Sequence, residues 1–128
     1  MSFNPQNIAV LGASGAIGGA FKELLSKKYP DASLFAFSRD GEHKIDYQDE
    51  KSIAEAVETA TKEKPLDLVI VANGILHDGK LIPEKSLKDL SAENFNRVFE
   101  VNTITPALIA KYFLPKLMVS LVKHNLMN

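Results

Sequence analysis

The chain has 128 residues, 45% of them apolar, with a net charge of −1 and no cysteine. That length supports one domain burying about two-thirds of its unfolded surface, and the near-neutral balance excludes the basic footprint of a nucleic-acid binder. Without cysteine there are no disulfides, thiolate metal ligands or cysteine nucleophiles.

In chain order, the start MSFNPQN lacks the basic and apolar regions of a signal peptide. No later run approaches the ~18 apolar residues of a membrane span, so a cytoplasmic protein with no membrane partner is expected. Residues 8–11 (IAVL) read as a buried strand, and GASGAIG at 12–18 follows directly. Strand, glycine turn and helix start in that order are how a parallel sheet holds a dinucleotide pyrophosphate. Gly12 allows the tight exit from the strand, Gly15 lets backbone N–H groups approach phosphate, and Gly18 lets the helix lie close on the sheet. Ser14 adds a hydroxyl, and the helix start adds unpaired N–H donors and a positive dipole end. Glycines that merely pack a helix on a sheet are the alternative.

Ile17, Ala20, Phe21, Leu24 and Leu25 recur at helical spacing and predict one apolar stripe facing the sheet. Pro30 stops that helix. Residues 34–37 read as a second strand, 44–47 as a short edge strand, and 51–62 as a helix with Ile53, Val57 and Ala60 inward. The run LVIVA at 68–72 predicts a central parallel strand buried on both faces. It ends in Asn73-Gly74, where open α/β sheets bind ligands. Residues 75–90 read as a polar connection with at most a short turn. Ser91 is a candidate N-cap for a long helix carrying Phe95, Val98, Phe99, Asn102, Ile109 and Phe113, with a kink or break at Pro106. The expected class is α/β: a Rossmann-like parallel sheet of about four strands with flanking helices, forming a single domain over 1–128.

GxxGxxG after the first strand, Asp46-Tyr47 after the third, Asn73-Gly74 after the fourth and Val101-Asn102 in the long helix resemble the first half of a short-chain dehydrogenase/reductase. The resemblance covers about residues 7–117, and the stretch from 75 to 117 is similar to the branch of C-factor-like reductases. Two motifs depart from the family pattern: the family has glycine at the position of Ala16, and its Asn-Asn-Ala-Gly signature is reduced to Val71-Ala-Asn-Gly74. The resemblance implies an oxidoreductase family and a dinucleotide site made of Gly12, Ser14, Gly15, Ile17, Gly18, Ser38, Arg39, Asp46, Tyr47, Asn73 and Gly74. Asp46 matches the residue that meets the adenine amino group; a turn-forming aspartate is its plainer reading.

Cofactor choice follows from the end of the second strand. A carboxylate there would select NAD, but this chain has Ser38-Arg39, with no acid until Asp40. An arginine fork grips a 2′-phosphate and a serine leaves room for it, so NADP(H) is expected over NAD(H). The alternative is a solvated loop charge.

Of the family's catalytic serine, tyrosine, lysine and asparagine, only Asn102 has a match. The others would follow the long helix, and the chain is about half the usual family length, so a fold incomplete relative to the family and no turnover by this chain alone are expected. Tyr112 and Lys116 have Tyr-x-x-x-Lys spacing, but they share a helix with Asn102 and Pro115 lies between them. Ten residues put Tyr112 about 15 Å along the axis from Asn102, so a packing role is expected. His43, His77 and His124 read as surface residues, with no metal site. Leu117, Met118, Leu121 and Val122 extend an apolar helical stripe, which predicts a homodimer through the helix at 91–121 using Phe113, Leu117 and Leu121. Three readings stay open: a reductase-like chain that binds nucleotide without chemistry, a portion of an active NADPH-dependent carbonyl reductase, and a structural or interaction protein whose glycine loop only packs.

Overall fold

The computed structural model describes residues 3–75 and 82–117. Its regular elements are β1 (Asn7–Leu11), α1 (Ala16–Lys28), β2 (Ser33–Ser38), β3 (His43–Lys44), α2 (Glu50–Ala60), β4 (Leu68–Val71), α3 (Ala92–Phe99) and α4 (Thr105–Phe113). The four strands are all parallel, in the order β3-β2-β1-β4. Ile8 lies between Leu34 and Leu68, and Leu11 between Phe37 and Val71. This is a Rossmann-like α/β sheet with flanking helices.

Side-chain alternation along β1 divides the core. Ile8 and Val10 point to the layer of α1, where they pack with Leu25. Ala9 and Leu11 point to the opposite layer, with Ile53, Val57, Ile109 and Phe113 of α2 and α4. Local signals start the helices: the Asp49 carboxylate accepts from Lys51 N at 3.0 Å to begin α2, and Ser91 Oγ accepts from Asn94 N at 3.1 Å to begin α3. At the amino end of the sheet, buried Asn7 donates through Nδ2 to the carbonyls of Ala60 (2.8 Å) and Lys64 (3.0 Å). Asp67 Oδ2 accepts from the backbone N–H of Gln6 (2.6 Å) and Asn7 (2.9 Å). The Asp67 bonds tie the approach to β4 to the start of β1, and the Asn7 side chain ties β1 to the end of α2 and the segment after it.

The structure corrects several expectations. The apolar stripe of α1 does not face the sheet: Ile17 is 68% exposed and Leu24 58%, and Phe21 and Ala20 are also exposed. Gly18 and Leu25 are the buried positions. A helix approaches most closely along the line that carries no side chain, so Gly18 sets the contact and turns the larger residues about a quarter-turn aside. The third strand is His43–Lys44, shorter and earlier than 44–47, because the chain turns at Asp46, whose Oδ1 accepts from Gln48 N at 3.0 Å. Strand β4 pairs along its length with β1 alone among the described residues, so Leu68, Val69 and Ile70 are half-buried and Val71 is exposed; it is an edge, not a central strand. The interior positions belong to β2 and β1.

The long helix is broken, as Pro106 suggested. A π turn at Glu100–Ile104 separates α3 from α4, and Pro106 lies in the first turn of α4. Proline has no N–H for the Asn102 carbonyl, the partner that an uninterrupted α-helix would supply. The helix also stops earlier than the expected 121. After Phe113 a 3-10 turn (Leu114–Lys116) leads to an extended Leu117, which makes a parallel bridge with Leu66 at the outer side of β4. Phe113 is 1% exposed and meets Phe37 edge-on at 6.3 Å, so it belongs to the core and not to a dimer face. Met118, Leu121, Val122, His77 and His124 lie outside the described residues.

Candidate functional site

The site is built where β1 and β4 end. Gly12 leaves β1 with φ +79°, a conformation that a side chain makes costly. A Cβ on Gly12 would also lie 2.8 Å from the carbonyl carbon of Ala72 and 3.0 Å from Asn73 N. The two strand ends therefore touch backbone to backbone. The loop closes on itself through Gly15 N–H to Gly12 O (3.2 Å), and Ala13 N–H reaches Phe37 O at the end of β2 (3.1 Å). Gly15 then caps α1 without any side-chain hydrogen bond, and the first turn holds no acidic residue. Its leading N–H groups have no helical acceptors, which is the arrangement that receives an anion.

Above this turn lies a cavity of about 320 Å³. It is lined by Gly12, Ser14 and Gly15 of the loop, Ser38 and Arg39 at the end of β2, Asp46 and Tyr47 after β3, and Asn73 and Gly74 after β4. Nine of the residues expected from the sequence thus line one space. Two others do not: Ile17 points to solvent on α1, and Gly18 is buried beneath the loop. Asn102 does not line it either. Its amide makes a reciprocal pair with the Ile75 backbone, Ile75 N–H to Oδ1 at 2.7 Å and Nδ2–H to Ile75 O at 2.8 Å. Both ends of that side chain are therefore spent on holding the segment after β4, which makes Asn102 a positioning residue in this structure.

Tyr47 is the most constrained polar group of the cavity. Burial pushes its phenol above the ordinary value, against hydrogen bonds from the Asn73 side chain and the Gly12 N–H that pull it down. The Gly12 N–H donates to the Tyr47 oxygen at 2.8 Å. Asn73 Oδ1 is buried with no partner among the described residues. Tyr112, by contrast, does not line this cavity: its hydroxyl donates to Glu50 Oε1 at 2.9 Å, beside Lys111 Nζ at 2.6 Å, and so ties α4 to α2. Lys111 first, and Tyr112 second, hold the Glu50 carboxyl below its usual range.

The sequence reading missed Gln48, Ala72, Ile75, Arg97, Glu100 and Thr105, which also line the cavity. Arg97 and Glu100 form an ion pair at 3.5 Å. The signal for them was present: 97, 101 and 105 are successive i, i+4 positions and share one helix face. Among the described residues no group of histidines and carboxylates is arranged to hold a metal ion, and no helix is long and apolar enough to cross a membrane. The cavity offers two arginines and backbone N–H groups beside the carboxylates of Asp46 and Glu100, a polar lining of mixed charge.

No family model and no curated protein sequence matches the chain. Solved structures do match. NADPH-bound carbonyl reductase from chicken fatty liver superposes with a TM-score of 0.73 at 22% identity, over 90% of this chain and 49% of its own. A dehydrogenase/reductase from Sinorhizobium meliloti gives 0.71 at 19% identity, over 91% and 51%. A short-chain dehydrogenase/reductase from Saccharomyces cerevisiae gives 0.73 at 17%, over 86% and 48%. The likeness is one of fold, and the chain spans about half the length of the structures it matches.

Proposed function

We propose that the chain is an NADP(H)-binding domain equivalent to the amino-terminal half of a short-chain dehydrogenase/reductase. The observation that carries this reading is the convergence of Gly12, Ser14 and Gly15 with Ser38, Arg39, Asp46, Asn73 and Gly74 on one cavity. The residues present fit the group. The first turn of α1 is uncapped by any side chain, Gly15 presents no Cβ to an approaching phosphate, and buried Asn73 Oδ1 lacks a partner among the described residues. The pyrophosphate would sit on Ser14 and the helix start, and Arg39 would hold the 2′-phosphate beside Ser38. The carbonyl reductase of similar fold was solved with NADPH bound, which supports the same cofactor class. Bound NADPH supplies a hydride; of the residues that would direct one, this sequence matches only Asn102, so the proposal is binding and not turnover.

Calorimetric titration with NADPH and NADH tests it. NADPH should bind more tightly, and Arg39→Ala should erase most of that preference, a loss of about tenfold for one charge-assisted contact. Equal affinity of the unaltered chain for the two cofactors would defeat the 2′-phosphate assignment. Absence of any binding would leave the glycine loop as a packing device.

Self-association is the second part of the proposal. Phe95 and Phe99 stack at 6.0 Å on the surface of α3, and Ile104 and Leu114 further along the chain are also exposed. These side chains replace the Phe113-centred face as the proposed contact of a two-fold dimer. Light scattering at tens of micromolar should return twice the chain mass, and a monomeric mass would reject the dimer.

A further inference from the structure

The first glycine of the loop is not free to meet a ligand through its N–H. That group donates to the Tyr47 hydroxyl oxygen at 2.8 Å, across 35 residues of sequence. Tyr47 stands just after β3 and lines the cavity, as does Asn73 at the end of β4. The ends of β1 and β3 therefore meet at one phenol. The buried Oδ1 end of the Asn73 amide beside them has no partner among the described residues. The next N–H, of Ala13, is committed to Phe37 O. An anion consequently meets the loop from Ser14 onward, and the shape of the loop before that point is set from the side.

Resting on the reading of the cavity as a nucleotide site, we propose that Tyr47 is a positioning residue for nucleotide binding. Its hydroxyl clamps the Gly12 N–H, and so holds the glycine loop, which touches the end of β4 through Gly12, in the shape that receives phosphate. A phenylalanine fills the same ring volume and lacks only the oxygen, which makes Tyr47→Phe the informative change.

Two readouts are needed, one without ligand. In the free protein the Gly12 amide should exchange with solvent about tenfold faster or more in Tyr47→Phe, with the β1 amides of Ala9 and Val10 unchanged. In calorimetry, NADP⁺ should bind Tyr47→Phe about tenfold or more weakly, the scale of one lost hydrogen bond, with a melting temperature within a few degrees of the unaltered chain. Unchanged Gly12 exchange, or unchanged NADP⁺ affinity beside a binding wild type, overturns the clamp and leaves the nucleotide reading standing. A wild type that binds neither NADP⁺ nor NADPH fails the nucleotide reading itself, and the proposed role with it. Should Tyr47→Phe not fold, the unaltered chain decides: a Gly12 amide protected like its neighbour Leu11 supports the clamp, and an unprotected one refutes it.

Discussion

Gly18→Ala is expected to cost about 3 kcal/mol of stability or more, the upper range for over-packing. A methyl group at Gly18 would run into the Gly12 carbonyl oxygen and lie 2.7 Å from its carbon and 3.1 Å from Ala13 Cα. All three are backbone atoms of the loop, so no side chain can swing aside. Either α1 lifts from the sheet or the turn after β1 opens. Gly19 is the internal control. A Cβ there approaches Ala13 O at 3.4 Å, close to ordinary contact, and alanine in a helix interior is favoured over glycine by roughly 0.5–1 kcal/mol. Gly19→Ala should therefore be neutral or stabilising. Denaturant unfolding of the two variants distinguishes them, and equal midpoints would contradict the close approach of α1.

Gly15→Ala is expected to do the reverse, leaving the fold intact and weakening NADPH binding about tenfold or more. Its backbone, at φ −78° and ψ 169°, suits any residue. The nearest atom to an added Cβ is Gly12 O at 3.5 Å, so the free protein accommodates it. Alanine is a poorer N-cap than glycine, a difference below about 1 kcal/mol. The methyl would project from the cavity wall at the helix start, where the ligand's phosphates must approach. Melting temperature and calorimetry on the same sample provide the check. A variant that melts early and still binds NADPH normally would show that Gly15 serves packing. Together the two substitutions separate the duties of glycines three residues apart: one accommodates the protein's own backbone, the other a ligand.

The elements were legible in the sequence because each carries a strong local signal. IAVL and LVIV are apolar runs of strand length, Asp49 and Ser91 are good caps, and Pro106 marks the break in the long helix. The cavity was legible for a related reason. A parallel sheet presents its carboxyl ends together, so residues just after successive strands become neighbours. What escaped depends on relations between elements. The rotation of α1 follows from which line of the helix touches the sheet, and periodicity placed the apolar face on Ile17 and Leu24 when glycine approach decided otherwise. The position of β4 depends on its lateral partners, which an apolar run does not reveal. Phe113 belonged to the same stripe as Leu117, but the chain becomes extended between them and sends the two to different surroundings. The bond between Gly12 and Tyr47 joins positions 35 residues apart, and no local pattern announces it.

The first strand, β1, lies in the interior of the sheet with a partner on each flank, and this has a consequence for folding during synthesis. β1 leaves the ribosome with its whole complement of buried side chains, yet only one flank can be covered when β2 follows. Its other flank waits for β4, some 60 residues later, and closing that long loop is an entropic delay that local helix formation does not shorten. Meanwhile the growing polypeptide exposes a half-paired apolar ribbon, the kind of species that aggregates when crowded. Asp67, whose carboxylate accepts from the Gln6 and Asn7 N–H groups at the base of β1, is then a latch for that late step: its bonds form only when the arriving β4 gives β1 its second neighbour.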